Sequence, residues 1–249
     1  MKKILTLLTV VLLLPCIVWG TFPDETLHYR VMFKWGLINK QAGRATITLH
    51  ADGDNYRTCL TARSESWADR FYCVRDTLNG LMAKTGLRPL FYEKIAHEGG
   101  EYKHDTVRFS YSGNIVTGNC TRQVIKKGRE TVNKTNSLQS TGLTVDMLSS
   151  FYYMRSLPFE KWSEGHKQSI TIFSGKRKET LTFQYHGTEQ VKIDNNSYHC
   201  YHITFIFTGE SGKKTSDNMD AWITADASRI PVKLEGKLPV GKVRCLLVK

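Results

Sequence analysis

The chain has 249 residues, of which 41% are hydrophobic, and a formal net charge of +12 at pH 7. This length is enough for a sizeable core and matches one large all-β domain or two small ones. The basic charge would indicate nucleic acid for an intracellular protein, but the first residues predict export. We therefore expect no nucleic-acid partner and consider a lipid, a lipoprotein or an envelope glycan instead.

The first twenty residues have the pattern of a secretory signal peptide. Lys2 and Lys3 form a positive segment, residues 4–14 are an almost unbroken apolar run, and Gly20 supplies a small residue for cleavage. Cleavage after Gly20 leaves residues 21–249 as the mature chain in the periplasm or cell envelope. The apolar run is shorter than the ~20 residues that cross a bilayer, so we expect no transmembrane span after cleavage.

A lipoprotein signal is the alternative for this segment, since Cys16 follows Leu13-Leu14-Pro15. A lipobox requires a small, flexible residue directly before the cysteine, and Pro15 does not meet that requirement. We therefore favour a cleaved peptide over a lipid anchor at Cys16.

Period-two alternation of apolar and polar residues predicts antiparallel strands along most of the mature chain. Turn residues such as Gly99-Gly100 and Asn195-Asn196 separate them. No alternation of strands with helices appears, which disfavours parallel doubly wound folds and their nucleotide sites. The predicted strands are Leu27 to Trp35, Ala45 to Ala51, Tyr56 to Ala62, Thr77 to Lys84, Leu90 to His97, Tyr102 to Tyr111, Ile115 to Ile125, Thr131 to Leu138, Gln168 to Phe173, Thr180 to Tyr185, Tyr198 to Phe207, Asp220 to Thr224, Pro231 to Leu238 and Lys242 to Val248.

Two stretches have helical spacing. In Thr144 to Arg155, Thr144 is the expected cap, and Met147, Phe151 and Met154 form one apolar stripe that should face the sheet, with Ser149 and Ser150 opposite. The second stretch is Ser66 to Arg75. The fold class is therefore mainly β: a curved antiparallel sheet or half-open barrel with one principal amphipathic helix packed on it.

No linker rich in Gly, Ser or Pro divides the mature chain, which predicts a single β-rich domain over residues 21–249. The alternative is two β halves of similar length joined by the helix over residues 144–155. The densest basic clusters, Lys126 to Arg129, Lys176 to Lys178 and Lys213-Lys214, are predicted to be solvated hairpin tips. With a turn counted near Gly187, the second and third clusters fall at opposite ends of the sheet, so a single anion-binding face is not expected.

The strand Leu27 to Val31, the helix Asp146 to Arg155 and the ending from Trp222 to Gly241 carry a family resemblance. The chain resembles the exported bacterial domain-of-unknown-function 3108 family over nearly the whole mature sequence. Those motifs are structural, so the resemblance implies kinship and no particular activity. In strand content and helix placement the chain is also similar to periplasmic lipoprotein carriers, whose half-open barrel wraps a hydrophobic ligand around plugging helices.

The cysteines do not specify a framework. The five in the mature chain include no CxxC pair and allow fifteen two-bridge arrangements, among which the sequence does not choose. Burial as small hydrophobic side chains is the alternative. They are Cys59, Cys73, Cys120, Cys200 and Cys245.

No motif of a serine hydrolase, zinc protease or phosphate-binding loop occurs in the sequence. If Gly99-Gly100 is a two-residue turn, His97 and His104 share a sheet face, and Cys200 and His202 share another as alternate residues of one strand. Neither pair comes with a further ligand or orienting group. We therefore predict no catalytic residue, no metal and no cofactor.

The aromatic residues give the remaining functional hint, because a curved sheet with a helix against it can present an apolar concave face. The expected function is a non-enzymatic binding or carrier module for an apolar or lipidic envelope ligand. The alternatives are a structural or assembly protein of the envelope with a self-filled core and, third, an envelope hydrolase. The candidate ligand-face residues are Phe151, Tyr152, Met154, Phe205 and Phe207.

Overall fold

The computed structural model describes residues 22–248, so the predicted signal peptide and Cys16 lie outside the described residues. Fifteen strands and two α-helices follow one another in this part of the chain, with short 3-10 turns at Thr85–Leu87 and Phe159–Lys161. The elements are β1 (Glu25–Trp35), β2 (Ile38–Asp52), β3 (Asn55–Ser64), α1 (Ser66–Asp69), β4 (Val74–Ala83), β5 (Pro89–Glu98), β6 (Glu101–Ser112), β7 (Ile115–Lys126), β8 (Arg129–Thr141), β9 (Thr144–Val145), α2 (Met147–Arg155), β10 (Lys167–Phe173), β11 (Lys178–Ile193), β12 (Asn196–Gly209), β13 (Met219–Thr224), β14 (Pro231–Lys237) and β15 (Lys242–Val248).

The strands form one sheet in the order β8-β7-β6-β5-β4-β3-β2-β1-β15-β14-β13-β12-β11-β10-β9. Neighbours are antiparallel except β9, which runs parallel to β10. The first and last strands pair in the middle of the sheet, with Lys34 opposite Lys242. The sheet curls into a nearly closed barrel, and Lys178 Nζ at the start of β11 donates to the carbonyl of Gln139 on β8 at 3.3 Å.

The mainly β fold is confirmed, and all fourteen predicted strands are present. Alternation identified them because each strand buries one face in the barrel and leaves the other in solvent. The structure adds the two-residue strand β9, and the largest extensions are those of β2 back to Ile38 and of β11 on to Ile193. No helix among residues 22–248 is long and apolar enough to cross a bilayer.

The predicted helix boundaries need two corrections. Thr144 is not the cap of α2, because Thr144–Val145 pairs with β10. Asp146 is the cap, because its carboxylate accepts hydrogen bonds from the backbone N–H groups of Leu148 at 2.7 Å and Ser149 at 2.8 Å. The Ser149 hydroxyl accepts a hydrogen bond from the backbone N–H of Asp146 in return, which completes a capping box. The predicted helix over Ser66 to Arg75 is only the single turn α1, since the chain from Val74 onward pairs with β5.

The predicted orientation of α2 is correct for Met154, which is buried, and for Phe151, which is partly buried, but wrong at three other positions. Ser149 and Ser150, expected on the outer side, are buried, whereas Met147, expected in the stripe, is 36% exposed. The sheet curls around the helix, so α2 contacts β3, β4, β5, β9 and β10 and has almost no solvent side. The serine hydroxyls tolerate burial because they bond locally, as Ser150 Oγ does to the carbonyl of Met147 at 2.8 Å.

The basic clusters lie at one end of the barrel. Gly187 is inside β11, at a register shift between Tyr185 and Thr188, and is not a turn. With one reversal fewer, the turns 174–177 and 210–218 fall on the same side, and Lys178 Nζ contacts Glu210 Oε1 at 2.7 Å. This corrects the prediction of opposite ends. The alternation of antiparallel strands places the connections 36–37, 65–73, 99–100, 127–128, 174–177, 210–218 and 238–241 at this end, which we call the mouth end.

Candidate functional site

A cavity of about 540 Å³ opens at the mouth end, and its lining is almost entirely apolar. We call it the apolar mouth. Strands β1, β2 and β3, helix α1 and the β14–β15 turn surround it. The apolar side chains that line it are Val31, Phe33, Trp35, Ile38, Ala42, Ala62, Trp67, Ala68, Phe71, Tyr72, Val74, Leu238, Val240 and Val243.

The apolar mouth continues the inner face of the barrel. Alternate residues of β1 point inward, so Leu27 and Tyr29 are buried in the core and Val31, Phe33 and Trp35 follow on the same face. On the neighbouring strand β15, Val243 stands opposite Phe33. The cavity is therefore the upper part of the barrel interior, above the last layer of the packed core.

Small residues create the space. Ala45 and Ala62 are directly opposite each other on β2 and β3, and Gly43 lies opposite Ser64. A Cβ on Gly43 would stand 2.6 Å from the carbonyl oxygen of Arg63, so the two backbones approach too closely for a side chain. The bulky side chains of β1 thus stand beside small residues on the same inner face of the sheet, which leaves space above those residues.

Polar contacts fix α1 over one side of the cavity. Glu65 accepts a hydrogen bond from Arg44 at 3.0 Å, and Trp67 Nε1 donates to the carbonyl of Gln41 at 2.7 Å. Arg75 bonds Asp69 at 2.7 Å, and this hydrogen bond lowers the pKa of the Asp69 carboxyl to about 2. These bonds hold the segment at its polar side, which leaves the aromatic side chains after it free to line the apolar mouth.

A second cavity, of about 630 Å³, opens beside the first and is lined by charged residues of β5, β6 and β7 and by the β10–β11 turn. We call it the charged cavity. Glu98 contacts both Lys94 and Lys103 at 2.9 Å, and Arg122 bonds both carboxylate oxygens of Asp105, at 2.7 and 2.8 Å. Its positive and negative groups are largely paired with one another, so the cavity is polar without a single dominant sign.

Asp76 and Glu98 are half-buried neighbours, and Glu98 lines the charged cavity. Burial and the hydrogen bond with Glu98 raise the pKa of Asp76 to about 7. Burial also acts to raise the pKa of Glu98, but the hydrogen bonds from Lys94 and Lys103 overcome it and lower that pKa. The shared proton therefore resides on Asp76, and Glu98 carries the negative charge that the two lysines compensate.

The two cavities meet at β4 and at the β5–β6 turn. Val74 lines the apolar mouth, and Asp76, two residues further along the same face of β4, belongs to the charged group. The ring of Tyr72 lies against Gly99, where an added Cβ would come within 2.6 Å of the ring. Tyr72 therefore forms the partition, and the barrel interior changes from apolar to charged across it.

The candidate ligand-face residues are not at the apolar mouth. Tyr152 and Met154 are buried in the core between α2 and the sheet. Phe151 and Phe205 are partly buried against that core, and Phe207 lines the charged cavity. Helix α2 fills the barrel, and Met147 at its start lines the charged cavity.

The histidine and cysteine pairs behave as ordinary sheet residues. The predicted register of the β5–β6 hairpin is confirmed, with His97 opposite Tyr102 and Ile95 opposite His104. Burial raises the pKa of the Cys200 thiol to about 12, which favours the protonated thiol. The five cysteines form no disulfide. No group of three or more candidate metal ligands occurs among residues 22–248.

The apolar composition of three turns is a sequence signal for the apolar mouth, and the alternation pattern of the strands does not contain it. Turns are normally polar, yet the turn segments Trp35 to Ile38, Phe71-Tyr72 and Leu238 to Val240 are apolar. Apolar residues at hairpin tips have no core to enter, so they indicate a binding surface. Their convergence depends on which strands are neighbours, and local patterns do not contain that information.

Comparison with known proteins gives a family and a fold. The sequence matches the family described as "Protein of unknown function (DUF3108)" over residues 28–248. No curated protein matches the chain. A solved structure, the beta-barrel-like protein of domain of unknown function DUF1849 from Brucella abortus, is similar in fold with a TM-score of 0.61 at 11% sequence identity. The similarity covers 92% of this chain and 98% of that one.

Proposed function

The chain belongs to the DUF3108 family, and from that premise we propose that it is a non-enzymatic carrier that holds an apolar or lipidic molecule in the apolar mouth. The observation that carries this proposal is the apolar lining of a cavity of about 540 Å³ that opens to solvent. Ligand sites in proteins have volumes of roughly 300–1,000 Å³ and are lined mainly by apolar and aromatic side chains. Left empty, such a surface would keep several aromatic rings in contact with water.

The neighbouring charged cavity supports an amphiphilic ligand over a purely apolar one. An acyl chain in the apolar mouth would place its polar end past Tyr72, next to the Lys94 and Lys103 ammonium groups around Glu98. Both ammonium groups are half-buried and already paired with Glu98, so they offer hydrogen bonds to a polar headgroup without the cost of burying a new charge.

The site of action in this proposal is the periplasm or cell envelope. The support is the signal-peptide pattern of residues 1–20, with its two lysines, apolar run and Gly20. A lipidic ligand suits that compartment, because lipids that pass between envelope membranes must be shielded from water on the way.

The test is binding of the uncharged fluorescent probe N-phenyl-1-naphthylamine, whose emission rises in apolar surroundings. Ala62→Phe fills the apolar mouth from the wall of small residues, and we expect it to reduce probe affinity by about tenfold or more. Ala51→Phe is the matched control: it adds the same side chain at an exposed position of β2 at the far end of the barrel. Equal affinity of both variants and the parent protein would contradict the proposal.

Mass spectrometry of the protein isolated from its native envelope identifies the natural ligand. We expect a copurifying lipid in the parent protein and its loss in Ala62→Phe. The competing function, a structural protein with a self-filled core, is favoured by the close burial of α2 in the barrel. A protein that carries no lipid and does not bind the probe would support that alternative.

A further inference from the structure

We propose that the mouth end docks onto the surface of an anionic lipid bilayer. In this orientation the apolar tips, defined as Leu37, Phe71, Leu238 and Val240, enter the interfacial region, and the surrounding basic turns face the lipid headgroups. Docking is separate from ligand binding, because the most exposed tip, Leu37, does not line the apolar mouth. Docking extends the proposed function, because it names the membrane surface at which the carrier would take up or release its ligand.

The exposed apolar side chains are concentrated at this end. Seven of the ten large hydrophobic side chains that are exposed in residues 22–248 lie on three connections of the mouth end or directly beside them. Leu37 is fully exposed, at 105% of its reference area, and Phe71 is 83% exposed. Isolated exposed apolar residues are common, but a contiguous group on turn tips indicates a membrane or protein interaction site.

The three tips are neighbours because of the strand order. β1 pairs with both β2 and β15, so the 36–37 turn stands between α1 and the 238–241 turn. Gly241 packs directly on the end of β1, where an added Cβ would lie 2.3 Å from the Lys34 carbonyl oxygen. The apolar tips therefore project together, as a surface that contacts a flat bilayer requires.

The charge of the same end favours an anionic surface. Exposed lysines occur on other turns of the same end, among them Lys127, Lys176, Lys213 and Lys214, and the turn with Lys213 and Lys214 is the neighbour of the 238–241 turn. Membranes rich in anionic lipids attract such residues, and apolar insertion combined with basic contacts is the usual composition of interfacial binding surfaces. A second copy of this chain is a poorer occupant, because a dimer through this end would bring the basic turns of both copies together.

The experiment is cosedimentation of the exported protein with vesicles, its N-terminus established by intact mass. We expect binding to vesicles of phosphatidylcholine mixed with phosphatidylglycerol and much weaker binding to phosphatidylcholine alone. Leu37→Asp should weaken binding by about tenfold or more, since it replaces an inserting side chain by an anion. The double variant Lys213→Ala/Lys214→Ala should weaken it by about fivefold for each lysine removed.

Matched controls at the far end of the barrel are Ile115→Asp and Lys192→Ala, both at exposed positions. They should bind the mixed vesicles as the parent protein does. Equal binding to both vesicle types, or equal losses in the controls, would overturn docking. Sedimentation without vesicles tests the alternative: a dimer abolished by Leu37→Asp would replace the bilayer by a second copy as the occupant. Leu37→Asp should keep its affinity for N-phenyl-1-naphthylamine, so failure of docking and failure of ligand binding are distinguishable.

Discussion

Arg155, the last residue of α2, forms a buried ion pair with Glu25 at the start of β1. One contact, from Nη2 to Oε2, is 3.0 Å long, and the guanidinium Nε also donates to the carbonyl of Arg229 at 2.9 Å. Arg155 is only 2% exposed. The ion pair therefore ties the end of the helix to the first strand and to the β13–β14 connection, and its positive charge suits a helix C-terminus.

Arg155→Met should lower the free energy of unfolding by about 3–5 kcal/mol, because it leaves the Glu25 carboxylate buried without its partner. Urea denaturation measures the change. The matched control is Arg57→Met, which removes an ion pair with Asp52 at 2.6 Å in which both side chains are largely exposed. That loss should stay below about 1 kcal/mol. Similar losses in the two variants would show that burial does not set the value of the Arg155 contact.

The Asp76 carboxyl should make stability depend on pH. Its pKa is raised from 3.8 to about 7 in the folded protein, by burial and by its hydrogen bond with Glu98. The folded state therefore binds the proton more tightly than the unfolded state, so this contribution is fully present below pH 3.8 and is lost as the pH rises to about 7. Lys94 and Lys103 face the same group and reduce the effect.

Asp76→Asn removes the titrating proton and keeps a polar side chain of the same size. Unfolding titrations from pH 4 to 8 should show a flatter profile for the variant and a higher relative stability above pH 7. Asp54→Asn, in the exposed turn between β2 and β3, is the control and should follow the parent curve. If Asp76→Asn also follows it, the shared proton is not on Asp76.

The strands were predictable and the barrel interior was not, for a physical reason. A strand with one buried and one solvated face has alternating apolar and polar residues, and this pattern is local to the strand. Strands that pair over a long sequence distance, such as β1 and β15, could therefore each be predicted on their own. Helix α2 has almost no solvated face, so the contrast between Met147 and Ser149 did not report its orientation. Ser149 is buried because the capping box with Asp146 satisfies its hydroxyl, which a hydrophobicity pattern cannot represent.

The candidate site was missed because it depends on neighbours that only the closed sheet defines. The turn tips at Leu37 and Leu238 are separated by about two hundred residues and meet through the pairing of β1 with β15. The count of turns failed at a single position, since Gly187 is a bulge residue inside β11 and does not reverse the chain. One such error moves a basic cluster to the other end of the sheet and hides the basic character of the mouth end.

The mature protein should begin at Thr21 without a lipid. Gly20 provides the small residue for cleavage, and Pro15 is unsuitable directly before a lipidated Cys16. Intact mass of protein exported by its own signal measures the N-terminus. A chain that starts at Cys16 and carries acyl mass would show a lipid anchor instead, and Cys16→Ser would then release the protein from the membrane.

Helix α2 is either a fixed part of the core or a plug that a ligand displaces. Leu148 is 2% exposed and packs so closely on Gly80 of β4 that a Cβ there would lie 3.1 Å from its Cδ1. Leu148→Ala should therefore lower the free energy of unfolding by about 2–5 kcal/mol through lost transfer energy and a residual cavity. Met147, one residue earlier, lines the charged cavity, so Met147→Ala is the matched control and should cost less than about 1 kcal/mol.

The two possibilities differ in how Leu148→Ala changes the affinity for the probe. If α2 leaves the barrel when a ligand enters, Leu148→Ala destabilises only the closed form, so it should raise the affinity for N-phenyl-1-naphthylamine by making displacement easier. If α2 is fixed, the variant loses stability and keeps the probe affinity, since the apolar mouth lies above the core. We expect the second result, because the capping box and the Arg155 ion pair hold both ends of the helix inside the barrel.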